Sequence, residues 1–263
     1  MRSLKKLVLT GLLFYSSFNA MAWGVLGHRI VGQIAESYLT PKAKLAIKTI
    51  LGNESIAMSS NWADFIRSDS SYSYLTDYHY INLTDSINEV QLKKYLLTDT
   101  AKDVYTEINF LIKELKKKNL AKDKQQMYLR LLVHFVGDVH QPLHVSREED
   151  WGGNKIKVQW FKEQTNLHSV WDEKLIDFQQ LSYTEYAGAI NYVTPSQKLQ
   201  WQKTPLYDWV FESHELAVKI YNGVSLDNPK LGYRYNYDNI HIINAQLLKA
   251  GVRLAGILNE IFG

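Results

Sequence analysis

Two histidine–aspartate pairs repeat one spacing along this chain of 263 residues: His134 with Asp138, and His168 with Asp172. On a helix, residues four apart share a face, so each pair aims an imidazole nitrogen and a carboxylate at one point. Two chemistries suit that arrangement. The pair can settle inside a core as a hydrogen-bonded couple, or both groups can ligate one divalent cation. Burying an ion costs about several kcal/mol unless something offsets it, and a cation offsets it for both members at once. One pair leaves the two readings level; a second pair tilts the balance towards metal. The chain contains no cysteine, which excludes disulfides, thiolate sites and thiol nucleophiles. Any ligands must be His, Asp, Glu or a chain terminus.

Residues of the same types stand in compact motifs elsewhere. Trp23-Gly24 is followed by Gly27-His28, and Asn61-Trp62-Ala63-Asp64 precedes Arg67, one helical turn on from Asp64. His79 sits in TDYHYIN, with Tyr80 and Asn82 behind it, and HFVGDVHQPLH carries His140 and His144 after the first pair. Taken singly, each histidine is more often a structural or surface residue. No G-x-S-x-G elbow, P-loop or G-x-G-x-x-G cradle occurs, and no serine is marked as a nucleophile.

The elements that must position these residues are mainly helical. Met127–Val139 is apolar on nearly every side, which predicts a buried helix over 124–140. Thr40-Pro41 before KAKLAIKTILG combines an N-cap, a first-turn proline, an amphipathic run and a glycine stop. Apolar periodicity predicts further helices over 103–118, from NLHSVWDEKLI, over 209–223 and over 240–262. KIKVQWF (155–161), entered through Gly152-Gly153, is the strand candidate, in a short hairpin. With no repeat, linker or low-complexity tract, residues 23–263 read as one all-α domain with a small β-hairpin.

Residues 1–22 have the make-up of a secretory signal peptide: Arg2, Lys5 and Lys6, then LVLTGLLFY, then Ala20-Met21-Ala22. The mature protein is expected to begin at Trp23 and to be exported, to a periplasm or beyond. No later run approaches the length of a membrane span. Removing the leader's three cations leaves 27 basic against 27 acidic residues, so the net charge falls from +3 to zero. A protein holding nucleic acid by its overall field is not supported, and any pull on phosphate must be local. Sequons occur at Asn53 and Asn82, meaningful only in a eukaryotic secretory route.

In order along the chain stand WGVLGH, WADFIR, HYIN, HFVGDVHQPLH, GGN and HSVWD, with WVFES and AGVRLAGILN near the end. Together they closely resemble the S1/P1 nuclease family, related in fold to the zinc phospholipases C, over essentially all of 23–263. The resemblance implies three zinc ions. Asp64, His79, His134 and Asp138 would hold one; the α-amine and carbonyl of Trp23, with His28 and again Asp138, a second; His144, His168 and Asp172 a third. Asp64 and Asp138 would thereby serve catalysis, beside an Arg67 guanidinium facing the phosphate. Tyr80 would stack on a nucleobase and Asn82 would meet its edge. The implied activity is hydrolysis of single-stranded DNA and RNA to 5′-phosphates, with 3′-nucleotidase activity, by a protein with no obligate partner and no membrane. Three zincs against three aspartates leave a local surplus of positive charge that draws phosphate without a basic surface. Arg67 could equally orient Asp64 through a salt bridge, and Tyr80 could simply pack. The rival enzyme is a zinc phospholipase C, against which WADFIR and HYIN speak. A zinc-sequestering protein would have no use for Arg67 and Tyr80. His140 has no part in this scheme.

Overall fold

Side-chain caps set most of the helix starts. Thr40 accepts from the Ala43 amide, and reciprocal capping boxes join Asn88 to Gln91, Asp103 to Thr106, Ser182 to Glu185 and Thr194 to Gln197. The computed structural model describes residues 23–224 and 228–263; the expected leader, residues 1–22, lies outside them. In chain order the helices are α1 (Val25–Ser37), α2 (Pro41–Leu51), α3 (Ile56–Ser59), α4 (Trp62–Phe65), α5 (Glu89–Thr98), α6 (Val104–Leu115) and α7 (Lys122–Asp138). After them come α8 (Leu167–Ser169), α9 (Leu175–Asp177), α10 (Tyr183–Ile190), α11 (Pro195–Lys203), α12 (Leu206–Asn222) and α13 (Tyr233–Phe262). A 3-10 segment, Ser70–His79, runs into strand β1 (Ile81–Asn82), and a 3-10 turn, Pro142–His144, runs into β2 (Val145–Ser146). A π turn, Val170–Lys174, joins α8 to α9.

The fold is mainly α, as the periodicity predicts. From Leu131 to Asp138 every residue of α7 is buried, so its C-terminal half is enclosed on all sides, while Lys122–Tyr128 stay exposed or half-buried. Around it pack α1, α4, α6 and α13. The long α13 lies against α1, where Gly251 permits the approach: a Cβ there would meet Ile34 Cγ2 at 2.5 Å.

The hairpin is present as β3 (Lys157–Trp160) against β4 (Glu163–Asn166), with Lys157 opposite Asn166. It carries more than the sequence suggests, because β5 (Lys230–Leu231) adds a parallel third strand beside β3. A second small sheet pairs β1 with β2 in parallel, Ile81 opposite Val145. α13 starts seven residues before the apolar pattern does. There Tyr235 accepts from the Trp171 indole at 2.8 Å and Asn236 accepts from Gln179 at 2.8 Å, so tertiary contacts extend the helix. Conversely α6 ends at Leu115, before the lysine run expected to complete it. α5, α10 and α11 have weak apolar stripes and were not anticipated; each starts at a capping box instead.

Candidate metal centre

The buried end of α7 brings His134 and Asp138 to the middle of a cluster. Both are wholly buried, with His134 Nε2 3.3 Å from Asp138 Oδ2. α1 lays His28 on top of His134, ring centroids 3.8 Å apart and nearly parallel. That approach depends on Gly137, where a Cβ would stand 2.7 Å from His28 Nδ1. His28 Nε2 lies 3.3 Å from Asp138 Oδ1, without the alignment of a hydrogen bond. The 3-10 segment delivers His79, whose Nδ1 is 3.0 Å from Asp138 Oδ2 and 3.0 Å from His134 Nε2. From α4, Asp64 sets Oδ2 4.0 Å from His134 Nε2. Asp138 therefore touches three imidazoles from three elements. Trp23 is buried beside this cluster, its side chain against Gly27 and its Cδ1 within 3.6 Å of a Cβ built at Gly137.

The second group sits where the small sheets meet. The parallel β1–β2 pairing fixes the end of the HQPLH turn to HYIN, and His144 donates from Nδ1 to the His79 carbonyl at 2.7 Å. His168 Nε2 is 2.8 Å from Asp172 Oδ2, and His144 Nε2 is 3.7 Å from Asp172 Oδ1. Gly152, at φ 61, lets the chain pass so closely that a Cβ would collide with the Leu143 carbonyl. Its own carbonyl faces His168 Nδ1 at 2.7 Å.

The arrangement suits a cation. His134, His144 and His168 each have Nδ1 directed at a backbone carbonyl, Ser60 at 2.6 Å in the first case, which leaves Nε2 as the bare nitrogen facing the carboxylates. His28 Nε2, His79 Nε2, His144 Nε2, Asp64 Oδ2 and Asp138 Oδ1 are buried polar atoms without hydrogen-bond partners. Unpaired buried atoms of this kind are costly, and a divalent ion is the group that satisfies nitrogen lone pairs and carboxylates together. Potential ligand atoms lie within 4.8 Å of one another in three sets: His28, Asp64 and His134; His79, His134 and Asp138; and His144, His168 and Asp172. The first two share His134, so the deep residues form one continuous cluster.

The electrostatics follow from burial working against charge pairing. Burial lowers His28, with His134 adding to the effect, and burial likewise lowers His79. Burial pulls His134 down too, but Asp138 and Asp64 outweigh it and hold it above its ordinary value. Asp138 is held well below the usual carboxylate range, since His134 and its neighbours overcome the burial that would raise it. His144 is pushed up to about 9, the Asp172 carboxylate 3.7 Å from its Nε2 outweighing burial.

An open cavity of about 780 Å³ adjoins both groups; His79, His144 and His168 line it together with Arg67, Tyr80 and Asn82. Arg67 donates to Asp64 Oδ1 at 3.1 Å while its side chain stays partly exposed to the cavity. Tyr80 donates to Asp77 at 3.2 Å. Sequence reasoning missed Trp151, Lys155 and Lys157 on the same cavity wall. Trp151 is 65% exposed in a left-handed conformation (φ 56), with the Lys155 ammonium 4.2 Å from its ring centroid. Its place just before the glycine pair was the available signal. Gln141, inside HQPLH, was also passed over: it is fully buried and donates to Asp172 Oδ1. His140 takes no place in either group.

Comparisons with known proteins agree on one family. A family model described as S1/P1 nuclease matches residues 23–263. Endonuclease 2 of Arabidopsis thaliana is 29% identical over 98% of this chain and 96% of its own length. Nuclease P1 of Penicillium citrinum is 30% identical over 92% of this chain and 98% of its own. Endonuclease 4 of Arabidopsis thaliana is 30% identical over 93% and 90%.

Proposed function

The chain belongs to the S1/P1 nuclease family, and so to the hydrolases that break phosphodiester bonds; from that premise we propose an exported zinc-dependent endonuclease for single-stranded DNA and RNA. It leaves 5′-phosphates, and the same site removes the phosphate from 3′-nucleotides. The observation that carries this reading is the convergence of eight buried histidine and aspartate side chains, several with unpartnered atoms, beside a cavity lined by Arg67 and Tyr80.

In this reading Asp64, His79, His134 and Asp138 hold one ion, Trp23, His28 and Asp138 a second, and His144, His168 and Asp172 a third. When bound, the ions supply a water made nucleophilic near neutral pH and shield the charge of the phosphate. The rest is the work of the chain. Asp64 anchors Arg67 at 3.1 Å, so the guanidinium meets the phosphate oxygens in a fixed orientation as charge builds on them. Tyr80, tethered to Asp77, offers a ring face to a nucleobase, and Asn82 offers an amide to its edge. Stacking accepts any base but requires it to be free of a duplex partner, which selects single strands. Lys155 and Lys157 add positive charge along the same wall, where flanking phosphates would pass.

No helix among the described residues is long and apolar enough to cross a membrane. The leader at residues 1–22 supports export, and its removal at Ala22 frees the Trp23 amine for the second ion. The test is zinc content and product-end analysis on protein processed to Trp23 and on protein that retains residues ahead of it. The processed form is expected to carry three zincs, to cut a single-stranded oligonucleotide to 5′-phosphate ends and to leave phosphatidylcholine vesicles intact. Equal zinc and equal activity in the unprocessed form would overturn the role given to the amine.

A further inference from the structure

His140 lies two residues past Asp138 and four before His144, is wholly buried, and serves no role in the scheme above. Its ring is fully engaged elsewhere. Arg253 Nη1 stands 3.0 Å from His140 Nε2, and a guanidinium can only donate, so that nitrogen is bare and accepts. Nδ1 then carries the hydrogen and donates to the Val136 carbonyl at 2.8 Å. Both nitrogens are spent, which removes His140 from ligation and from proton transfer.

The same side of α7 presents further groups that lose their helical partners as the helix ends. Ser213 donates to the Val139 carbonyl at 2.6 Å, and Gln246 donates to the His140 carbonyl at 2.8 Å. Gln246 also donates to Ser213 at 3.2 Å, tying α12 to α13. Arg253 is 1% exposed, donates to Glu212 at 2.9 Å and lies over the Trp209 ring at 5.2 Å. Trp209 in turn stands 5.3 Å from the His140 ring. Thus three side chains from α12 and α13 grip three acceptors in the two residues that follow Asp138.

We infer that Arg253, with Ser213 and Gln246, is a positioning set: it clamps Val139 and His140 so that Asp138 and His144 are delivered to their ions in register. None of the three belongs to the ligand sets or lines the cavity; they act through His140 and the backbone. The inference rests on the ligand reading of Asp138 and His144. Burying a guanidinium against an imidazole is an expensive way to stabilise a core even with Glu212 pairing its far side. It makes sense where a fixed orientation is needed.

The experiment compares Arg253→Met with Ile243→Val, a wholly buried apolar position on the same helix that lies outside the clamp. Both are expected to lower the melting temperature of the metal-free protein. Only Arg253→Met is expected to weaken zinc retention against a competing chelator, by about 10- to 100-fold, and to lower kcat while KM stays near that of the parent. Ser213→Ala, a milder change, should shift zinc retention in the same direction by a few fold (about a single lost hydrogen bond), and it decides the matter if Arg253→Met does not fold. Zinc retention as tight as in Ile243→Val would overturn the clamp. If Asp138→Asn binds as much zinc as the parent, the ligand reading itself has failed; a parent that depends on Asp138 beside an unaffected Arg253→Met sinks only the clamp.

Discussion

The two donor groups are made of the same side chains but are built differently. The deep one draws on four elements, and α1, α4, α7 and the 3-10 segment meet around one carboxylate, Asp138, shared by three imidazoles. The outer one draws on three short local elements, the 3-10 turn with His144, α8 with His168 and the π turn with Asp172, and two of its three members line the open cavity. Sharing makes the deep group a single unit, in which loss of the centre disturbs every neighbour. The outer group is a separate module, tied to the deep one through the His144–His79 backbone bond and through Asp138, whose charge reaches His144.

Asp138→Asn breaks the comparison hardest. It should empty the deep group and reduce nuclease turnover by more than the roughly hundredfold typical of losing a supporting partner; metal analysis and single-strand cleavage would show it. His168→Ala should remove one ion and leave the deep group loaded, so that zinc content falls by a third rather than collapsing. An all-or-none loss of zinc would mean the two groups are not separable.

pH sharpens the contrast. In the metal-free protein the nearby Asp172 carboxylate outweighs burial and lifts His144 to about 9, above its unfolded value. A histidine raised in this way stabilises the fold fully below about pH 6.5, and the contribution, about a few kcal/mol, is lost as pH climbs through 9. Metal requires the neutral imidazole, so binding is favoured by the same climb. The gap between the melting temperatures of zinc-loaded and metal-free protein should therefore widen from pH 6.5 to 9; a constant gap would contradict the assignment of His144. Gln141→Leu removes the amide that holds Asp172 and should weaken only the outer ion, by about tenfold or somewhat more. Smallest is Tyr80→Ala, expected to lower kcat/KM on single strands by roughly the 1–3 kcal/mol of one stacked base, with zinc content unchanged.

Much of the fold could be read ahead of the coordinates where the signal is local. The cap, proline and glycine around α2 fall where the sequence puts them, and the all-round apolar character expected of α7 matches the burial of its C-terminal half, not of its first turns. The helices α5, α10 and α11 were illegible because their apolar stripes are weak, and the early start of α13 depends on Trp171 and Gln179, more than fifty residues away. The site shows the same division. His134 with Asp138 and His168 with Asp172 are visible as pairs because a helical turn places them together whatever else the chain does. Gln141 and Trp151 were overlooked because an amide and an indole carry no spacing rule.

By itself the sequence determined which atoms could bind a cation, which pairs of them must be neighbours, and the helical character of the elements that bear them. Those are consequences of backbone geometry over a few residues. Only the tertiary structure decided that His28 stacks on His134, that β1 lies beside β2 so that His144 reaches His79, and that Arg253 closes on His140. Each of these joins residues tens to more than a hundred positions apart, where partner choice depends on the packing of whole helices and leaves no periodicity in the chain to read.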